Sequence, residues 1–406
     1  MNLTSFVVKK CQSMAKTRQI RYIIFLKDVL ILALTCFGGP QVHLTMFLDR
    51  LVKKHNYISE AEILELQALC QVLPGPTSTQ TITAIGFRLG GASLAYLTLL
   101  VWILPGTLLM TLAALGVTYV EKDQLASLTR FIKPMGVAFI IFAAFSIGVK
   151  VIKTKTSFFL MLLAAIAAFV FPSPYITPIW ILLGGLATSF KFDQHEKMEK
   201  QPIKIEWGNF ILWLSVFMFS VVLGKITNNL PVRLFENFYR NGSLAFGGGH
   251  ILKPLLYNEF VEFKHYLSAD EFLSGVAIVE VAPGPVFSIS AFVGALSMRE
   301  WGTSGEVLGS IVSSVGIFLP GTFLIFFVIR FWNELKKYRG IRASLEGINA
   351  ASTGLTAAAA LSLYRPMALD LVSNLTIVLT LILLQTRLAP TYIIIFIGLF
   401  LGWVII

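Results

Sequence analysis

Charge is what this chain has least of. Asp, Glu, Lys and Arg make up 14% of it, against roughly 25% in a soluble domain. So few charges cannot clothe a water-facing surface of this length, which excludes a soluble globular protein. Acidic residues are scarcer than basic ones, 22 against 33, for a net charge of +11. That excess does not point to nucleic acid. The basic residues sit in the N-terminal tail and in loops, where they orient membrane spans. The three cysteines, Cys11, Cys36 and Cys70, are isolated and form no disulfide framework and no paired metal or redox spacing. No zinc spacing, nucleophile–base constellation or cofactor motif is present, so the sequence points to no enzyme and no cofactor. Gly247-Gly248-Gly249 is not a phosphate loop, because no strand or GK[ST] accompanies it. A cleavable signal is not expected either. The apolar run after the basic residues 1–21 carries Lys27 and Asp28 and lacks a small-residue cleavage site.

Apolar residues are plentiful: 56% of the chain, with a mean hydropathy of +0.76. The fold class this predicts is an all-α polytopic membrane protein. Its organisation is a tandem repeat, the first thing to look for in any sequence. Pro74-Gly75-Pro76 recurs 209 residues later as Pro283-Gly284-Pro285. The same shift lays Phe37-Gly38-Gly39 on Phe246-Gly247-Gly248, Tyr57 on Tyr266, Ser59 on Ser268 and Glu62 on Glu271. Leu104-Pro105-Gly106 returns as Leu319-Pro320-Gly321. The expected units are a basic cytoplasmic tail (1–21), a first repeat (22–190), a charged cytoplasmic linker (191–206), a linking transmembrane helix (207–225) and a second repeat (226–406). Within the first repeat, 22–39 reads as a spanning helix and 41–56 as an amphipathic segment at the interface. The segments 59–91 and 93–120 are interrupted by proline, and 130–151, 156–171 and 175–190 are clear spans. If every broken element crosses once, the chain has 13 spans. If 59–91, 93–120 and their second-repeat copies are re-entrant hairpins, nine remain. Both counts are odd, so the termini lie on opposite sides and the repeats are inverted, a common transporter plan. Loop charges place the N-terminus and the linker in the cytoplasm and the C-terminus outside. Arg50, Lys53, Lys54 and the basic 121–133 fit that placement poorly.

Pro-Gly-Pro cannot continue a helix, and within a membrane such a break survives only where it lines a cavity or is buried in protein. A half-helix that starts there aims unsatisfied N–H groups and a partial positive charge at what precedes it. That is an anion site without a charged side chain. Thr77, Ser78 and Thr79 add hydroxyls, as Ser288 does in the second copy, and Gly38, Gly39, Gly247, Gly248 and Gly249 allow close approach of backbone. The bland alternative for each break is a kink. Glu280 stands one turn before the second break, where its first-repeat counterpart is Gln71. Such an acid is either a gating or proton-coupling group or the structural partner of a nearby cation. Arg88 either supplies positive charge to an anion path or snorkels at the interface. His43 and His250 read as solvated interfacial residues, and Cys70 as a buried, inert thiol.

The ordered set Phe37-Gly38-Gly39-Pro40, Pro74-Gly75-Pro76 and Leu104-Pro105-Gly106, repeated at 246–249, 283–285 and 319–321, resembles the chromate ion transporter family in its long, two-domain form. The resemblance covers about residues 25–406. It implies a bacterial inner-membrane exporter of chromate that confers resistance, with two fused halves of opposite orientation. The partners implied are chromate or a related oxyanion and the lipid bilayer; nucleic acid is not among them, and a homodimer is an allowed assembly. A sulfate carrier of the same architecture is the nearest alternative, since sulfate shares chromate's charge and shape. A non-transporting membrane scaffold is the alternative from another class, and duplicated polar breaks are not needed for it.

Overall fold

The computed structural model describes residues 3–36, 40–119, 130–171, 176–190, 205–246, 249–332, 338–386, 388–389 and 391–404. Among these, every regular element is helical. The first repeat holds α1 (Leu3–Thr35), α2 (Pro40–Phe47), α3 (Glu60–Val72), α4 (Thr77–Tyr119), α5 (Ile132–Val151), α6 (Lys155–Val170) and α7 (Ile176–Ser189). Between the two halves lies α8 (Gly208–Thr227), at the position expected for the linking helix. The second repeat holds α9 (Leu230–Leu244), α10 (Gly249–Tyr257), α11 (Ala269–Val281), α12 (Ile289–Ser297), α13 (Gly302–Val328), α14 (Arg339–Tyr364), α15 (Leu371–Thr386) and α16 (Thr391–Val404).

The start of the chain folds as two hairpins that return to the side they came from. Tyr22 on α1 donates a hydrogen bond to the Leu89 carbonyl, so it lies level with the far end of the second hairpin. From there α1 climbs about 20 Å to Cys36. The chain then turns back through α2 and a π-helical turn, Leu48–Lys54. Asp28 of α1 accepts hydrogen bonds from Arg50 (2.8 Å) and Tyr57 (2.8 Å), which ties the descending arm to the ascending one. Ser59 and Glu62 form a reciprocal capping box that starts α3. α3 climbs to Pro74-Gly75-Pro76, and Thr77 onward descends again, with Arg88 near Glu62 and Glu65. α4 then breaks at Gly90 and Gly91, whose φ of 72° favours glycine. Its second half doubles back: Trp102 Nε1 donates to Thr79 Oγ1 at 3.1 Å, and Gly86 lies against Thr98.

This architecture corrects two expectations. Residues 93–120 do not form a hairpin; helical geometry continues through Pro105. At about 40 Å, this second half of α4 exceeds the roughly 30 Å hydrocarbon core. Conversely, the helix over 22–35 and the segment 41–56 are not separate elements. Together they form the first hairpin, in which Phe47 and Leu51 are fully buried. The second repeat is built alike, with hairpins at 230–263 and 269–297. Arg299 pairs with Glu271 across the arms of its second hairpin, and Phe292 packs on Gly275. Asn56 and His265, one shift apart, both take the left-handed conformation that ends the first hairpin.

Among the described residues, three helical stretches are long and apolar enough to cross a membrane, Thr77–Thr118, Gly208–Thr227 and Arg299–Val328, and shorter apolar helices accompany them. Side-chain pairs fix their directions. The second half of α4 and its counterpart α13 are antiparallel along their whole length. Tyr96 packs on Phe326, Thr111 hydrogen-bonds Ser310 and Thr118 donates to Glu306 at 2.6 Å. Lys133, starting α5, pairs with Asp270 on the far face. Thr154, before α6, meets Glu346 on the near face, and Glu206, before α8, meets Arg330 there. α14 packs on α6 and α7 through Gly347 against Gly184 and Gly354 against the Met161 backbone, the close approach that small residues permit in lipid. Large apolar side chains on α6 to α8, α15 and α16 face outward. The chain is a multi-pass membrane protein.

Candidate functional site

The breaks that the sequence marks out meet at one place, halfway along the antiparallel α4 and α13. Their contacts are exchanged between repeats. The Gly75 N–H donates to the Ala245 carbonyl at 3.0 Å, and the Gly284 N–H to the Cys36 carbonyl at 2.9 Å. One shift of 209 maps the first bond onto the second. Each Pro-Gly-Pro tip is thus anchored to the end of the first helix of the other repeat. Each also packs on the other repeat's Leu-Pro-Gly. Gly106 sits against Ser288 and the Pro283 carbonyl, while Gly321 sits against Gln80 and Pro76. Such reciprocal pairing is what a two-fold relation produces. Gly75 and Gly284 have φ of 120° and 96°, which only glycine adopts without strain.

Thr77, Ser78 and Thr79 open the descending half of α4 and are all buried. Thr79 Oγ1 is engaged by Trp102. Ser288 lies in a short 3-10 turn, Val286–Ser288, before α12, and its hydroxyl is buried without a partner. Pro74, Pro76, Pro283 and Pro285 shape the two tips. Gly38, Gly39, Gly247 and Gly248 lie outside the described residues, flanked by the Cys36 and Ala245 carbonyls that hold the opposite tips. Gly249 opens α10.

Two expected site residues are exposed rather than enclosed at the tips. Gln71 is exposed on α3. Arg88 is exposed at the near face, beside Glu62 and Glu65. The Glu62 carboxyl, outside the spans, is held below its usual range, chiefly by the Ser59 hydroxyl and backbone N–H, with Arg88 assisting. We therefore expect Arg88→Gln to leave transport within about twofold of wild type, as for exposed ion pairs generally; a tenfold loss in vesicle flux would put Arg88 in the anion path.

Glu280 is ion-paired with Lys253 of α10. Lys253 is 3% exposed. Along the segments that reach the tips (29–48, 66–87, 89–120, 242–258, 272–298 and 307–329) these two are the only charged side chains. Lys253 was legible in the sequence and passed over. The shift places it on Leu44 as it places Glu280 on Gln71, so one repeat carries a charged pair where the other carries a neutral one. Gln80 was passed over too. Its amide donates to the Pro74 (2.8 Å) and Gly321 (3.1 Å) carbonyls, while its counterpart is Ile289. His43 is not solvated but 1% exposed, edge-on to Trp102 at 5.5 Å; the His250 side chain lies outside the described residues. Cys70 is buried.

A family model described as chromate transporter matches residues 24–190 and 232–403. The chain belongs to the chromate transporter family. Among its relatives is a chromate transport protein of Pseudomonas aeruginosa, 26% identical over 357 residues, covering 85% of this chain and 81% of that protein. A chromate transport protein of Cupriavidus metallidurans is 25% identical over 355 residues, 86% of this chain and 84% of its own length. An uncharacterized transporter of Methanocaldococcus jannaschii is 25% identical over 348 residues, 83% and 82% of the two chains. No solved structure matches this chromate transporter family member.

Proposed function

We propose that this protein is a secondary transporter, not an enzyme, that exports chromate from the cytoplasm across the bacterial inner membrane and so confers chromate resistance. The observation that carries the proposal is the meeting of both Pro-Gly-Pro tips with the opposite Leu-Pro-Gly turns at mid-depth, in a zone nearly free of charge. Helices that begin there present backbone N–H groups and hydroxyls to an anion. The family and the names of its relatives support the substrate. The antiparallel course of α4 and α13 supports inverted repeats, whose rocking about a fixed central site alternates access.

An N-terminus in the cytoplasm follows the basic residues. Because the first hairpin returns to its starting face, Arg50, Lys53 and Lys54 join Lys153, Lys155 and Arg330 on that side, as the positive-inside rule requires. The linker 191–206 is cytoplasmic and the C-terminus extracytoplasmic. Reporter fusions that put both termini on one side would reject this topology.

Lys253 is the sole cation near the tips. An arriving oxyanion competes with Glu280 for it, so the pair both fixes the second repeat's tip and responds to substrate. A dianion leaving a negative interior gains about 4.6 kcal/mol per 100 mV, so export requires no coupling ion. The test is radiolabelled chromate flux into everted vesicles, with sulfate as competitor. Chromate should accumulate above empty vesicles and faster with the lumen positive. Flux no greater than in empty vesicles would overturn the proposal.

A further inference from the structure

A second charged region lies away from the tips, and the repeat accounts for only part of it. A cavity of about 500 Å³ opens between the linking helix α8, α9 and the π-helical turn Asn258–Phe263. Its wall is divided by depth. Gly224 of α8 packs on Arg233, while Trp213 hydrogen-bonds Ser243, so α8 and α9 run antiparallel and their junction marks the far face. Lys225 and Arg233 stand at that end. Phe217 and Met218 line the cavity deeper in, two turns down α8.

The carboxylates of the cavity are already committed. Glu259 accepts from Arg240 at 2.7 Å and from Asn241 at 3.0 Å, and it pairs with Lys264 at 3.2 Å. Glu236 pairs with Arg240 at 2.9 Å. With these spent, Lys225 and Arg233 remain, and neither has a hydrogen-bond or ion-pair partner among the described residues. The Asn237 amide nitrogen, on a side chain only 3% exposed, lines the same cavity and is also unpartnered. A net positive rim, a buried donor without an acceptor and an apolar floor are the complement of a phosphate carried on acyl chains.

The repeat shift accounts for part of this cluster, since Asn237, Glu259 and Lys264 fall on Asp28, Arg50 and His55, which also meet one another, but it does not account for the two arginines. Arg233 and Arg240 fall on Ile24 and Ile31 of α1. Ile24 is 45% exposed on a helix that has no linking helix beside it. The cations therefore belong to the face that α8 covers. Basic pockets between membrane helices attract anionic headgroups by charge. We propose that this cavity binds an anionic phospholipid, its phosphate on Lys225, Arg233 and Asn237 and its chains along Phe217 and Met218. The lipid would wedge the linking helix against the second repeat. A free oxyanion shares the headgroup chemistry but leaves the apolar floor uncovered.

The test compares the whole protein in nanodiscs of phosphatidylcholine alone and with phosphatidylglycerol added, and in phosphatidylcholine with inorganic phosphate. Phosphatidylglycerol should raise the melting temperature by several degrees and co-purify as a bound species in native mass spectrometry. Inorganic phosphate should do neither. Lys225→Gln/Arg233→Gln should lose both effects. Val221→Trp, which fills the cavity and spares every cation, should also lose them, so a folding defect in one variant does not leave the question undecided. Equal binding of phosphatidylglycerol by wild type and both variants would overturn the proposal. An equal shift with inorganic phosphate would assign the cavity to a soluble oxyanion instead.

Discussion

Glu280→Gln should destabilise the protein by roughly 3–5 kcal/mol, the usual result of stranding one member of a buried ion pair. The cost falls on Lys253. Its ammonium is enclosed, and among the described residues of the tip segments Glu280 is its only counter-charge. Detergent-solubilised melting should drop well below wild type, and expression should fall with it. The repeat itself supplies the control. Lys253→Leu/Glu280→Gln copies the Leu44 and Gln71 of the first repeat, removes both charges together and should recover most of the lost stability. Double substitution also separates architecture from transport. If Lys253 meets the anion, the double variant folds but carries chromate at least tenfold more slowly. Wild-type flux in a stable double variant would leave the pair a purely structural feature. A single Glu280→Gln variant that melts like wild type would refute the buried pair.

Gly75→Leu and Gly284→Leu should each abolish chromate flux while the protein stays in the membrane. The reasons differ between the tips. At Gly75 a Cβ meets Gln80 Nε2 at 2.9 Å and Gly321 Cα at 3.2 Å, so any side chain pushes the two repeats apart, on top of a backbone strain of about 1–3 kcal/mol. At Gly284 the nearest atom is the Ala33 carbonyl oxygen at 3.6 Å, so the strain acts with little clash. The alanine variants should therefore separate: Gly75→Ala loses nearly all flux, Gly284→Ala only part. Normal transport by both leucine variants would reduce the breaks to kinks.

Much of this was visible in the sequence because the repeat is written into it. The shift that aligns Phe37 with Phe246 and Gly75 with Gly284 also predicts the paired bonds to Cys36 and Ala245, which lie just before each Phe-Gly-Gly. The capping boxes at Ser59 and Ser268 follow the same rule. The assignment of hairpins did not follow, for a physical reason. Hydropathy measures burial from water, and an arm that turns back at mid-depth is as apolar as one that crosses. The helix that holds 22–35 ends at Thr35, ahead of the helix-breaking Gly38-Gly39-Pro40, and the Cys36 carbonyl just beyond it accepts from Gly284. Pro105 looked like a break, but the helix passes through it; lipid-side proline is tolerated where neighbouring groups satisfy the freed carbonyl. Lys253 was missed because one charge in an amphipathic segment looks like surface. Only its pairing with Glu280 and its fall on Leu44 mark it as buried. Gly106 and Gly321 served as evidence for the repeat, and nothing local to either showed that each packs on the other repeat's tip.

The central claim is that an oxyanion is held where the tips meet. Its most direct test is equilibrium binding of chromate to the purified protein by titration calorimetry, for wild type and Gly75→Leu. The account predicts saturable binding at one site per chain in wild type and its loss in Gly75→Leu of unchanged helical content. Chromate bound equally well by both proteins would contradict it.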